Sequence, residues 1–134
     1  MALDPGSYGL INMILQTILF FGIVAGIAYA RKRKTMLHCK IISVAWLFQL
    51  FMIVLFMSPV MRATNDSSID SMLGVEVLLH HGFGLLVFLL VPYLHFILSG
   101  KLKAIINLRI LMKVAAFSWT LSYLLGLHIF SIIS

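Results

Sequence analysis

The chain has few of the charged residues that a water-soluble protein needs. Only 10% of its 134 residues are Asp, Glu, Lys or Arg, whereas 62% are hydrophobic. A soluble domain carries about 25% charged residues, and a small domain has too much surface per unit volume to hide such a deficit in its core. The scarcity of charge therefore excludes an ordinary soluble fold and indicates that lipid is the solvent of this chain.

Acidic residues and cysteines are scarcer still. Four acidic residues stand against ten basic ones, which gives a formal net charge of +6. The basic residues lie in short clusters between apolar runs, a pattern typical of membrane orientation rather than of nucleic-acid binding. Cys39 is the only cysteine. This excludes an intrachain disulfide and, without a C-x-x-C-H motif, covalently attached haem.

Four long apolar runs occupy most of the chain, at residues 10–30, 38–59, 76–99 and 110–133. Each is near the ~20 residues that a helix needs to cross about 30 Å of hydrocarbon. No basic residue precedes the first run, so it reads as a spanning helix rather than a cleaved signal peptide. The sequence predicts an all-α polytopic membrane protein, with residues 1–134 forming a single membrane domain and a four-transmembrane-helix bundle.

Charge asymmetry predicts the orientation of these helices. The four acidic residues fall on one side, together with Arg62, and the remaining basic residues fall on the other. The latter are Arg31, Lys32, Arg33, Lys34, Lys40, Lys101, Lys103, Arg109 and Lys113. Because cytoplasmic loops are enriched in Lys and Arg, both chain ends are predicted outside. The expected location is a plasma membrane or an equivalent energy-coupling membrane.

A small-residue motif, Gly22-x-x-x-Gly26, lies in the first run. Such spacing permits close helix approach. Packing against the other helices of the chain is the favoured interpretation, and a homodimer through helix one is the alternative.

Five histidines are unexpected in so apolar a chain, because ionisable groups within membrane segments are costly. His81 and His95 are 14 residues apart, which places them about 21 Å apart along a helix and within about 40° of the same direction. His38 begins helix two at the level of His95. His128 lies near the outer end of helix four, at the level of His81. Two layers of paired imidazoles are therefore predicted, His38 with His95 inside and His81 with His128 outside.

Paired neutral imidazoles facing across a helix bundle are the axial ligands of a low-spin b-type haem. Two haem b groups are therefore expected, with the four histidines as ligands of the iron. Their anionic propionates would find basic partners, for which the candidates are Arg33, Lys40 and Lys101 on the inner side and Arg62 on the outer side. Three glycines near the outer pair, Gly82, Gly84 and Gly126, would let a flat macrocycle approach the backbone.

This layout resembles the transmembrane di-haem b-type cytochromes. The resemblance spans residues 36–134 and rests on His38, His81, His95 and His128 rather than on a contiguous motif. Helix three supplies a ligand to both layers, while helices two and four supply one each. This arrangement differs from that of the di-haem cytochromes. The resemblance implies electron transfer across the membrane or between a quinol and a partner, and a quinone or another redox subunit as a partner. A weaker similarity is to small four-helix proteins of haem–copper oxidase assembly.

Several alternatives stay open. His80 adjoins His81 and is the alternative outer ligand, although its direction matches that of His95 less well. The histidines would otherwise serve structure, proton relay in a small channel, or transient haem handling without redox function. Gln16 and Gln49 lie at mid-membrane depth and are expected to hydrogen-bond between helices, with a quinone contact by Gln49 as the alternative.

Overall fold

The computed structural model describes residues 5–58 and 71–133. Within these ranges the chain is built from four long helices and contains no strand. The helices are α1 (Pro5–Arg31), α2 (Thr35–Met52), α3 (Ser71–Leu98) and α4 (Leu108–Ile133), and a π-helical segment, Ile53–Met57, continues α2. Arg62, the predicted outer propionate partner, and the end of the second predicted run at Pro59 lie outside the described residues.

All four helices are long and apolar enough to cross a membrane. The candidate spans are Gly6–Arg31, Thr35–Met57, Met72–Leu98 and Leu108–Ile132. Large apolar side chains are exposed along every one of them, as expected of helices that contact lipid. The predicted all-α membrane fold with four spanning helices is therefore confirmed.

The helices begin two to five residues before the predicted runs. Hydropathy marks the part of a helix that lies in hydrocarbon, whereas the backbone hydrogen bonds continue into the interfacial residues on either side. Glu76, for example, was expected to begin the third helix but lies within the second turn of α3.

The chain divides into two compact units, residues 1–70 with 130–134, and residues 71–129. In the first unit α1 and α2 pair antiparallel. Gly26, near the end of α1, lies against Ile41 near the start of α2, where an added Cβ would approach the Ile41 side chain to 3.2 Å. At the opposite end the rings of Tyr8 and Phe56 pack edge to face, 6.2 Å apart. Gly26 is thus used for packing within the chain, as the sequence favoured, whereas an added Cβ at Gly22 would meet nothing within 4 Å among the described residues.

The core of the second unit is a seam between α3 and α4. Its α3 residues recur at intervals of three or four, a spacing that keeps them on one face of a helix. They are Val87, Val91 and Leu94. The buried residues of α4 follow the same intervals and are mostly small: Leu111, Ala115, Ser118, Trp119 and Ser122. Small side chains let membrane helices approach closely, so α3 and α4 form a tight pair.

Helices α1 and α3 end in the same type of turn. The Lys34 N–H donates to the Tyr29 carbonyl at 2.9 Å, and the Lys101 N–H donates to the Phe96 carbonyl at 3.0 Å. The residue before each donor is left-handed, Arg33 with φ 60° and Gly100 with φ 74°. This is the Schellman motif, in which the left-handed residue directs the next N–H groups back to the last helical carbonyls.

Candidate functional site

His38 is anchored by the neighbouring helix. Its Nδ1–H donates to the Gly26 carbonyl oxygen at 2.9 Å, which links the start of α2 to α1. Gly26 lies where the helices are close, since an added Cβ there would approach the Ile42 side chain to 3.3 Å. His38 is half-buried, so its ring is held in place at one end of the first unit.

His80 lies in the α3–α4 seam. Its Nδ1–H donates to the Ser122 carbonyl at 2.8 Å, while the Ser122 hydroxyl donates to the His80 carbonyl at 3.1 Å. Each side chain thus bonds the backbone of the opposite helix. The ring also fills the space beside Gly126, where an added Cβ would lie 2.8 Å from His80 Cε1. Gly126 therefore accommodates the His80 ring.

His81 faces out of the seam. It is exposed, and its Nδ1–H donates to the Val77 carbonyl one turn earlier in α3, at 2.7 Å. Its ring stands edge-on to that of His80, with 5.3 Å between the ring centroids. The two adjacent histidines therefore occupy different environments, one packed between helices and the other open.

His128 pairs with a carboxylate. Its Nδ1–H donates to Glu76 Oε2 at 2.8 Å, with 59% of the His128 side chain and 21% of the Glu76 side chain exposed. This contact places His128 at the level of Glu76, which precedes His81 by five residues or about 7.5 Å along α3. The pairing of His81 with His128 about one haem stays a prediction, and a shared macrocycle would have to span that offset.

The residues predicted to form the inner haem layer are divided between the two units. His95 is exposed in the last turn of α3, and Arg33, Lys40 and Lys101 are exposed as well. The Lys101 ammonium lies 5.8 Å from the centre of the Phe96 ring. His38 lies in the first unit and His95 in the second, so their pairing also stays a prediction, as do the propionate contacts.

The histidine tautomers suit iron ligation. In His38, His80, His81 and His128 the Nδ1 nitrogen faces an oxygen acceptor, so it carries the proton and Nε2 carries the lone pair. Metal-binding histidines are commonly oriented by such a bond. The donor chemistry therefore fits haem iron. The His80 ring fills the space beside Gly126, and His81 faces out of the seam, so a haem bound by His81 would lie on the exposed side of α3.

A compact metal-ion site is not found in the described part of the chain. No three histidine, cysteine, aspartate or glutamate side chains come together there in a way that could hold a bare ion.

Sequence reasoning missed the partners that orient the outer histidines. Ser122 and Gly126 were identifiable, because Ser118, Ser122 and Gly126 recur at four-residue intervals, a small-residue pattern typical of membrane helix contacts. Glu76 gave no comparable signal, since its contact with His128 joins residues 52 positions apart. Comparison of the chain with protein-family models, with curated proteins and with solved structures gave no match.

Proposed function

We propose that the protein is a transmembrane b-type cytochrome that binds two haems through His38, His81, His95 and His128. It transfers electrons across an energy-coupling membrane, or between a quinol and a partner redox subunit. The proposal rests on the same four histidines as the resemblance to di-haem cytochromes, now together with the bonds that orient three of them.

The observation that supports it best is the shared orientation of His38, His81 and His128. In each, the Nδ1–H donates to an oxygen of the protein. Such a bond selects the tautomer with the lone pair on Nε2, the nitrogen that commonly ligates haem iron, and it makes the imidazole a stronger donor.

The chain's own contribution is to hold the haems and to orient their histidine ligands. Haem supplies the one-electron redox chemistry when bound. Glu76 accepts a hydrogen bond from His128, which increases the electron density on that ring and favours the oxidised state of a ligated iron. Exposed cations on the cytoplasmic side offer partners for propionates, and the apolar helices exclude water from the redox centres.

Paired histidine variants test the proposal. Protein purified from haem-replete membranes is expected to show reduced-minus-oxidised bands of bis-imidazole haem b, at about two haems per chain. His81→Ala and His128→Ala are each expected to lose one haem and to retain the other, and His38→Ala is expected to lose the inner one.

His80→Ala is the matched control, since it removes the adjacent imidazole from the same turn of α3. It should retain both haems while lowering thermal stability. Loss of a haem in His80→Ala and not in His81→Ala would assign the outer ligand to His80 instead. A colourless wild-type preparation would refute the cytochrome and favour a proton-conducting channel.

A second candidate, transient haem handling for oxidase assembly, is favoured by one observation. His81, His95 and His128 are all exposed, as expected of ligands that a haem reaches and leaves without opening the fold. The haem content separates the candidates. One haem per chain, lost to apomyoglobin within minutes, indicates a carrier, whereas two haems retained through purification indicate a cytochrome.

A further inference from the structure

Three carboxamide residues lie along the α1–α2 pair of the first unit. Asn12 and Gln16 extend the line of buried α1 residues that continues with Leu19 and Ile23, since the intervals are four, three and four residues. Gln49 lies between the buried residues Ala45 and Met52 of α2 by the same spacing. Residues at these intervals share one helix face, so the three carboxamides belong to the faces that the two helices turn to each other.

The antiparallel register brings them to neighbouring depths. Tyr8 lies beside Phe56 at one end of the pair, and Gly26 lies beside Ile41 at the other. Between these two contacts, Gln16 falls at the level of Gln49. Asn12 falls one turn further out, about 6 Å away along the helix axis.

Each carboxamide presents one buried polar atom with no hydrogen-bond partner among the described residues. These atoms are Asn12 Oδ1, Gln16 Nε2 and Gln49 Oε1. Burying such a group without a partner is costly in hydrocarbon, where no solvent can replace the missing bond. Three of them in one short stretch of a membrane hairpin indicate that a further molecule completes the bonding.

A second, independent feature lies at the same depth. The backbone changes from α to π geometry at Ile53, directly after Met52. Single π-helical turns are rare, and they occur frequently at functional sites. The Ser58 hydroxyl donates to the Ile53 carbonyl at 3.1 Å, so a side chain takes up part of the hydrogen bonding of this irregular turn.

We propose that Asn12, Gln16 and Gln49 bind one ordered water molecule inside the membrane. The unpartnered atoms are two acceptors and one donor. Water donates two hydrogen bonds, to Asn12 Oδ1 and Gln49 Oε1, and accepts one from the Gln16 Nε2–H, which satisfies all three groups.

Solid-state NMR on the intact protein in deuterated lipid bilayers tests the site. The chain has only five carboxamide side chains, Asn12, Gln16, Gln49, Asn65 and Asn107, so their ¹⁵NH₂ signals can be assigned from single variants. The Gln16 side chain is expected to receive magnetisation from water. Asn107, whose side chain caps the exposed start of α4, is the positive reference, and the backbone amide of the buried Ile23 is the negative one.

Two variants decide the interpretation. Thr17→Val is the matched control, because the Thr17 hydroxyl bonds the Met13 carbonyl within α1, and it should leave the Gln16 water signal unchanged. Gln49→Leu should reduce that signal at least severalfold. A direct Gln16–Gln49 contact without a water signal would overturn the proposal, as would chemical-shift changes that require Na⁺ or K⁺ in place of choline. The result does not depend on haem binding.

Discussion

The exchange of hydrogen bonds between His80 and Ser122 is the most specific contact between α3 and α4. Each residue donates from its side chain to the backbone carbonyl of the other, at 2.8 and 3.1 Å. Two such bonds fix both the rotation and the axial position of the helices, because neither side chain can reach its acceptor if one helix turns or slides. The orientation of the adjacent His81 is consequently set by its neighbour.

Gly126→Ala should weaken this contact. The added Cβ would lie 2.8 Å from the His80 ring, so the ring must move and lose its bond to Ser122. We expect the clash to cost about 1–3 kcal/mol in the free energy of unfolding. Replacing glycine within a helix offsets about 1 kcal/mol of this cost, which leaves a net loss of up to about 2 kcal/mol. Reversible unfolding in mixed micelles measures the difference.

Gly82→Ala provides the comparison for that substitution. An added Cβ at Gly82 meets nothing within 4 Å, so only the gain in helix propensity applies and stability should rise slightly. Equal effects of the two substitutions would show that the His80 contact does not contribute to stability.

At the scale of the helix, α1 and α3 end on the same motif with different residues at the left-handed position. Gly100 adopts φ 74° without steric cost, whereas Arg33 adopts φ 60° with a full side chain. The left-handed region costs a non-glycine residue about 1–2 kcal/mol. Arg33 therefore adopts this conformation against a local steric penalty.

Arg33→Gly should stabilise the first unit by about 1 kcal/mol, because it removes this penalty. Thermal unfolding followed by circular dichroism should show a higher transition temperature. Lys32→Gly also removes one positive charge from the same turn, but its native φ is not positive. It should therefore lower the transition temperature, and a rise in both variants would point to charge repulsion as the cause.

At the scale of the whole chain, the distribution of charge predicts that both ends lie outside and both basic loops inside. Cysteine accessibility tests this orientation. In a Cys39→Ser background, Ser7→Cys should react with a membrane-impermeant maleimide in intact cells. Lys32→Cys should react only after the membrane is opened. The reverse pattern would invert the topology and exchange the inner and outer histidine layers.

Much of the fold followed from the sequence. The all-α fold and the number of spanning helices were predicted correctly, because transfer of a helix into lipid depends on the sum of its own residues. The candidate site followed only in part. The sequence located all five histidines on helices. It favoured His81 as the outer ligand, yet it did not indicate that His80 is the one packed between helices.

The sequence by itself determined the properties that suit each segment to a membrane. These are its length, its hydropathy and the side on which its positive charge lies. Only the tertiary structure decided which neighbours meet, since adjacent residues on a helix differ by about 100° and a shift of one turn moves a contact by about 5.4 Å. The pairing of His128 with Glu76 and the clustering of Asn12, Gln16 and Gln49 on facing helices depend on such rotations and shifts. Those are set by the packing of one helix against another, and no single segment encodes them.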